Sequence, residues 1–258
     1  MEVPGMVLHV YGEDKNPAIV LLHPMAVTGE KIYDLIGSRM KGDYCFLVPD
    51  MGNHGDDYGN YQSAESEAAS LYFFLKDRNR TRIALLYGAS MGAVTALELL
   101  KYDDLKIDNI YLDGAPIARQ SWIMRRIFAP VLLRQKIVFA KGNYTDVKEF
   151  LDRWGRDITE HMSSCFERFS SKTIRCISKD CVRGISPVIP EDLQRHMYLE
   201  WGSRELYAKS SPKKVKKCWP HAHICVRKGY NHCEYMMKEN ENYISFIERI
   251  LHPQESGL

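Results

Sequence analysis

The sequence predicts an α/β fold: a mostly parallel central sheet with helices on both faces, in a single domain over residues 1–258. Short apolar runs rich in Val, Ile, Leu and Tyr recur along the chain, with helical stretches between them. Those intervening stretches are long enough for right-handed crossovers between parallel neighbours. Size agrees, because 258 residues with 45% hydrophobic and 26% charged side chains can bury one large core without disulfides or metal.

Met6–Tyr11 and Ala18–Leu22 come first, separated only by the polar segment Gly12–Pro17, and this spacing predicts an antiparallel hairpin. Gly29–Met40 has helical apolar spacing and leads to a strand over Tyr44–Val48. A helix over Ser63–Lys76, a strand over Ile83–Tyr87, a helix over Met91–Lys101 and a strand over Ile110–Leu112 follow. The alternation lapses between Ala115 and Pro190, which read as a helical insertion within the domain, with no convincing strand. Strands resume at Met197–Glu200 and His223–Val226. Glu234–Leu251 closes the chain as one amphipathic helix, with Tyr243, Ile244, Ile247, Ile250 and Leu251 on one face.

Composition excludes several classes. The formal charge is only +2, which gives no general reason to expect nucleic acid. No apolar run is long enough to cross a membrane, so stable membrane insertion is not expected. The N-terminus has Glu2 and Pro4-Gly5 in place of a basic segment and an apolar run, so a secretory signal is not expected either. Seven scattered cysteines without a C-x-x-C pair fit reduced thiols, and the expected compartment is the cytoplasm. A homo-oligomer is compatible with all of this.

Chemistry concentrates at Gly88-Ala89-Ser90-Met91-Gly92, where an apolar strand turns into a helix. A serine on such a turn is strained, exposed and close to the helix N-terminal N–H groups, while Gly88 and Gly92 keep side chains out of the crowded turn. A serine hydroxyl is a weak nucleophile at neutral pH and needs a base, itself oriented by a carboxylate. His232 stands in Gly229-Tyr230-Asn231-His232, a loop between the last strand and the closing helix. Glu205 lies three residues beyond Gly202, at the end of the preceding strand. The chain order Ser90, Glu205, His232 is the order expected with a strand-turn-helix nucleophile. Asp113, at the end of the Ile110–Leu112 strand, is the rival acid, and Glu200 a weaker third. His221, His223 and His252 lack the loop position of His232.

These motifs together resemble the α/β-hydrolase family, over nearly the whole chain apart from the insertion. The resemblance implies a serine hydrolase, foremost a carboxylic ester hydrolase, acting through an acyl-enzyme on a small-molecule ester or related acyl substrate, without a cofactor. Thioesterase, lactonase, amidase or peptidase, carbon–carbon hydrolase and acyltransferase chemistry would use the same triad, and non-catalytic ligand receptors share the fold. Leu22-His23-Pro24-Met25 resembles the family's oxyanion loop, so that Met25 and Met91 would supply backbone N–H donors. Pro24 stands where glycine is usual. Pro49-Asp50-Met51-Gly52-Asn53-His54-Gly55 resembles the glycine-containing loop after the next strand, which implies that Asp50 and His54 shape the floor of the site. The insertion would be a cap, with His23, Trp122 and Phe128 as expected substrate contacts.

A metal site is not expected. His221-Ala222-His223 offers two imidazoles without a third ligand nearby, and Cys165, Cys176 and Cys181 lack ligand-pair spacing. Cys233, next to His232, reads as a packing thiol. Charge is uneven: residues 114–190 hold 14 Lys+Arg against 7 Asp+Glu, so a basic insertion is joined to an acidic remainder. That distribution admits an anionic substrate or an acidic partner, and amphipathic helices of the insertion could alternatively touch a membrane surface.

Overall fold

β-strands form where apolar residues face both ways. In Ala18–Leu22 (β2) every side chain is buried, as a strand covered on both faces requires. The computed structural model describes residues 6–141 and 144–252, apart from the side chains of 144–147 and 149. Its other strands are β1 (Val7–Tyr11), β3 (Cys45–Asp50), β4 (Arg82–Ile83), β5 (Leu85–Ala89), β6 (Lys106–Ile107), β7 (Ile110–Asp113), β8 (Met197–Gly202) and β9 (His223–Arg227). Seven strands form one sheet in the order β1-β3-β2-β5-β7-β8-β9, parallel except for the antiparallel edge strand β1. β4 and β6 pair separately in parallel as a short two-stranded ribbon.

The helices are α1 (Gly29–Leu35), α2 (Ala64–Asp77), α3 (Met91–Leu99), α4 (Trp122–Ala140), α5 (Tyr144–Arg168), α6 (Ser171–Arg183), α7 (Glu191–Gln194), α8 (Ser211–Cys218), α9 (Glu234–Lys238) and α10 (Asn240–Leu251). Side chains that alternate along the strands separate two apolar layers. Val20, Leu22, Leu86 and Leu112 pack with Ala68 and Leu71 of α2 and Val94 and Leu97 of α3. Ile19, Leu21, Leu85 and Tyr87 pack with Ile32 of α1 and Tyr243 and Ile247 of α10. Helices therefore cover both faces of a mostly parallel sheet. Between β7 and β8 the described elements are helices, α4, α5, α6 and the short α7 in succession.

Three sequence expectations need correction. β1 and β2 do not form a hairpin, because β3 lies between them and pairs antiparallel with β1 from Val7↔Asp50 to Tyr11↔Phe46. β2, apolar on both faces, is stable only between two neighbours, whereas β1 carries His9 and a 37% exposed Val10 and suits an edge. Gly12, at φ +89°, permits the crossing: a Cβ there would stand 2.1 Å from the Tyr44 carbonyl oxygen. The closing helix is two helices, broken at Glu239 (φ −116°, ψ 43°), where the Asn240 side chain donates to the carbonyls of Leu35 and Met236 at 3.0 Å. The first helix likewise stops at Leu35 and is followed by a 3-10 turn, Gly37–Arg39.

Candidate active site

Ser90 occupies the turn between β5 and α3 at φ 51°, ψ −109°. A non-glycine residue in this region costs on the order of 1–3 kcal/mol and persists only where its surroundings fix it. Here the Ser90 N–H donates to the Asp113 carbonyl at 2.8 Å. The two glycines are sterically required. A Cβ on Gly92 would lie 2.1 Å from the Leu22 carbonyl oxygen, and one on Gly88 would lie 2.7 Å from the Gly92 carbonyl oxygen. Ser90 is thereby lifted off the sheet's C-terminal edge, at the N-terminus of α3.

His232 reaches Ser90 from the loop after β9. Its Nε2 lies 2.8 Å from Ser90 Oγ, and its Nδ1 lies 2.5 Å from Glu205 Oε2. The partners define the roles: Nδ1–H donates to the carboxylate, leaving Nε2 to accept from the serine hydroxyl. Gly114, at φ +61°, seats the imidazole, because a Cβ there would stand 2.5 Å from His232 Cε1. Glu205 is held by a seam between the loops after β8 and β9. The Ser203 N–H donates to Arg227 O at 2.9 Å, and the Arg204 N–H to Tyr230 O at 3.0 Å. Gly202 allows this approach, since its Cβ would meet the Asn231 carbonyl oxygen at 2.3 Å.

Electrostatics distinguish the carboxyl groups. Burial would lower the His232 pKa, but the charge and hydrogen bond of Glu205, with the charge of Asp113, raise it overall. The Glu205 side chain is 1% exposed, and its Oε1 has no hydrogen-bond partner among the described residues, so its polar anchor is His232. Burial, followed by the charges of Glu200 and Glu205, pushes the Asp113 carboxyl well above the usual range. Asp113 Oδ2 accepts from the Tyr243 hydroxyl at 3.1 Å. Glu200 is occupied by Arg227, whose guanidinium lies 2.7 Å from Oε2. Neither rival is hydrogen-bonded to His232.

The loop after β2 is tied to the loop after β3. His54 Nε2 accepts from the Ala26 N–H at 3.2 Å, and its Nδ1 lies 3.1 Å from the carbonyls of Met51 and Gly52. Asp50 accepts from the Gly29 N–H at 2.7 Å, the Asp56 N–H at 2.8 Å and His9 Nε2 at 2.8 Å. Burial would raise the Asp50 pKa, but these bonds hold it below the ordinary range. His9, Asp50 and Asp56 have ligand atoms close enough for a cation, yet the Asp50 oxygens are already engaged in this clamp. His221 and His223 separate: His223 Nε2 meets Arg195 O at 3.0 Å, and His221 faces Glu191 at 3.7 Å.

A cavity of about 470 Å³ opens onto Ser90, Glu205 and His232. Met25 lines it, and Met91 is the buried first residue of α3, directly after Ser90. Phe128 lines it as well, from α4. His23 and Trp122 do not. His23 is fully buried, with Nδ1 donating to Pro24 O at 2.9 Å and Nε2 accepting from the Met51 N–H at 3.0 Å. Burial lowers its pKa to about 4, so it is a neutral brace beneath the loop. Trp122 is 63% exposed at the start of α4 and is not among the residues that line the cavity. Phe150, Trp154, Ile158, Met162 and Phe166 line the wall at a strict four-residue spacing along α5, although Gly155 (φ 79°, ψ 173°) interrupts that helix. This spacing is readable in the sequence. Arg153 and Arg204, also in the lining, carry no comparable pattern, because the cavity is approached by two separate segments.

No protein-family model and no curated protein sequence matches this chain. Solved structures do match in shape. A protein assigned to the α/β hydrolase family from Desulfitobacterium hafniense is 19% identical, with 95% of this chain and 100% of that chain covered at a TM-score of 0.74. An esterase from Exiguobacterium antarcticum is 14% identical over 96% of this chain and 97% of that one, at 0.72. A carboxylesterase structure from Nitrososphaera gargenis is 15% identical over 98% and 96%, at 0.70. Such coverage, with the sheet order and the strained turn after its central strand, shows that this chain has the α/β-hydrolase fold.

Proposed function

We propose that the protein is a serine hydrolase, a carboxylic ester hydrolase working through an acyl-enzyme. The observation that carries this reading is the hydrogen-bonded series Ser90 Oγ, His232 Nε2, His232 Nδ1 and Glu205 Oε2, at 2.8 Å and 2.5 Å, facing a largely apolar cavity. Ser90 is the nucleophile. His232 takes its proton as Oγ bonds to the acyl carbon, and Glu205 stabilises the imidazolium that forms. The backbone N–H groups of Met25 and Met91 receive the negative charge that develops on the carbonyl oxygen. His232 then returns the proton to the departing alcohol. Water, deprotonated by the same imidazole, cleaves the acyl-enzyme to release the acid and restore Ser90. No step calls for a cofactor. The helical insertion acts as a cap whose inner wall, from Phe128 to Phe166, receives the acyl group. The esterase names of several structural neighbours favour an ester over the thioester, lactone, amide and carbon–carbon substrates that the same triad serves.

The test is covalent labelling with a fluorophosphonate probe. The wild type is expected to label at Ser90 and to hydrolyse p-nitrophenyl esters, and Ser90→Ala to do neither. An unlabelled wild type, or labelling that persists in Ser90→Ala, overturns the assignment and favours a non-catalytic ligand-binding role for the cavity.

A further inference from the structure

The outer face of α4 has no use in the reaction above, and its side chains call for one. Phe128, Leu132 and Gln135 on its inner face line the cavity. On the side away from it Ile123, Ile127 and Val131 follow one another at four-residue spacing, exposed by 52%, 44% and 47%, and Ile137, exposed by 55%, lies beyond Arg134. Trp122 adds a fifth large apolar group at the N-terminal end. Single exposed apolar residues are ordinary, but several clustered along one helix mark an interaction surface.

The charges beside the stripe have one sign. Arg126 flanks it with its guanidinium 5.8 Å from the Trp122 ring centroid, and Arg134 stands between Val131 and Ile137. Neither is paired with an acid among the described residues. From Gly114 to Lys141 the sequence holds six Lys+Arg and no Asp or Glu. A second copy docked through this face about a two-fold axis would set these cations against their own counterparts. An anionic lipid surface meets both features: the apolar stripe enters the acyl boundary, while the guanidinium groups bind phosphate and carboxylate headgroups. No helix among the described residues is long and apolar enough to cross a membrane, so α4 would lie along the surface.

We propose that the outer face of α4 docks the protein on anionic lipid surfaces. The inference stands on the exposed stripe and its charges, independently of hydrolysis. It also places the cavity wall and the lipid on opposite sides of one helix, so that a bound surface lies one helix thickness from the cavity.

The test is sedimentation of the full chain with vesicles of phosphatidylcholine alone, or of phosphatidylcholine mixed with phosphatidylserine. Binding is expected to the mixed vesicles, with much weaker binding to the neutral ones, and to fall as NaCl is raised. Each cation near an anionic surface contributes roughly a factor of five, so Arg126→Gln with Arg134→Gln should weaken binding about 25-fold. Ile127→Asp with Val131→Asp should abolish it. All four positions are exposed, and unchanged thermal melting by circular dichroism verifies that the variants fold. Failure to bind the mixed vesicles, equal binding to both kinds, or unaltered binding by either double variant would overturn the proposal. So would a wild-type dimer that Ile127→Asp with Val131→Asp dissociates, which would assign the stripe to self-association.

Discussion

Replacing Glu205 by Gln and Asp113 by Asn, one at a time, separates the two carboxyl groups whose charge is felt at His232. Glu205 Oε2 is 2.5 Å from Nδ1, and the carboxylate side chain is 1% exposed. With the charge centres about 4 Å apart and an effective dielectric constant near 20, a carboxylate stabilises the imidazolium by roughly 4 kcal/mol. That alone is about three decades in rate. A glutamine amide that turns its NH2 toward Nδ1 adds a second loss, because it selects the tautomer in which Nε2 carries the proton and cannot accept from Ser90. Glu205→Gln is therefore expected to lower kcat by about three to four decades with little change in KM. Asp113 differs because burial pushes its carboxyl well above the usual range and its hydrogen bond goes to Tyr243, not to His232. Asn there is nearly isosteric, introduces no new charge and can still accept from Tyr243. Its expected cost is less than about tenfold in kcat. The assay is steady-state hydrolysis of a p-nitrophenyl ester, with urea unfolding to show that both variants fold. Equal losses for the two variants, or a Glu205→Gln enzyme that keeps more than about a tenth of its activity, would refute the reasoning.

The raised His232 pKa moves the acid limb of kcat/KM to higher pH, since the neutral imidazole is the base. The wild-type inflection should lie above the ordinary 6.5 and shift downward in Glu205→Gln, where burial acts without the opposing charge. An inflection that does not move would separate the titration from Glu205. Gly92→Ala drives a Cβ to 2.1 Å from the Leu22 carbonyl oxygen. It should destabilise the fold by about 1–3 kcal/mol, measured by urea denaturation, with loss of fluorophosphonate labelling as the turn shifts. Burial, with the nearby charges of Asp57 and Asp180, pushes Glu67 up to about 8 even though its carboxyl accepts from the Gly52 N–H. Because the folded form holds this proton more tightly, Glu67 makes stability fall as pH rises from about 4.5 to about 8. Glu67→Gln should flatten that slope by on the order of a few kcal/mol, read from unfolding free energies at about pH 5 and about pH 9.

What the sequence discloses depends on whether the determinant is local. The Ser90 turn was legible because its residues lie within a single strand-turn-helix unit: Gly88 is demanded by the Gly92 carbonyl inside that unit and Gly92 by the Leu22 carbonyl of the neighbouring strand, and the two residue types alone report how crowded the turn is. Glu205 and His232 were legible for a related reason: each stands in a loop at the end of a parallel strand, and parallel strands bring such ends to one edge of a sheet. The place of β1 was not legible. Its residue types report a strand but not which strand is its neighbour, and only the demand of β2 for two partners sends β1 to the edge. His23 fails as a substrate contact on similar grounds. Its ring is consumed by two backbone groups, one of them 28 residues away in the loop after β3, which no local pattern announces. α4 is the hardest case, because apolar residues occur on both its faces and a sequence cannot say which face meets protein. Phe128 and Trp122 belong to the same helix and were equal candidates, yet one lines the cavity and the other is 63% exposed. A helix with apolar residues on two sides leaves apolar surface in water unless both sides are covered. The inner face of α4 meets the cavity and the neighbouring helices, so the outer stripe is where a further partner has to be sought.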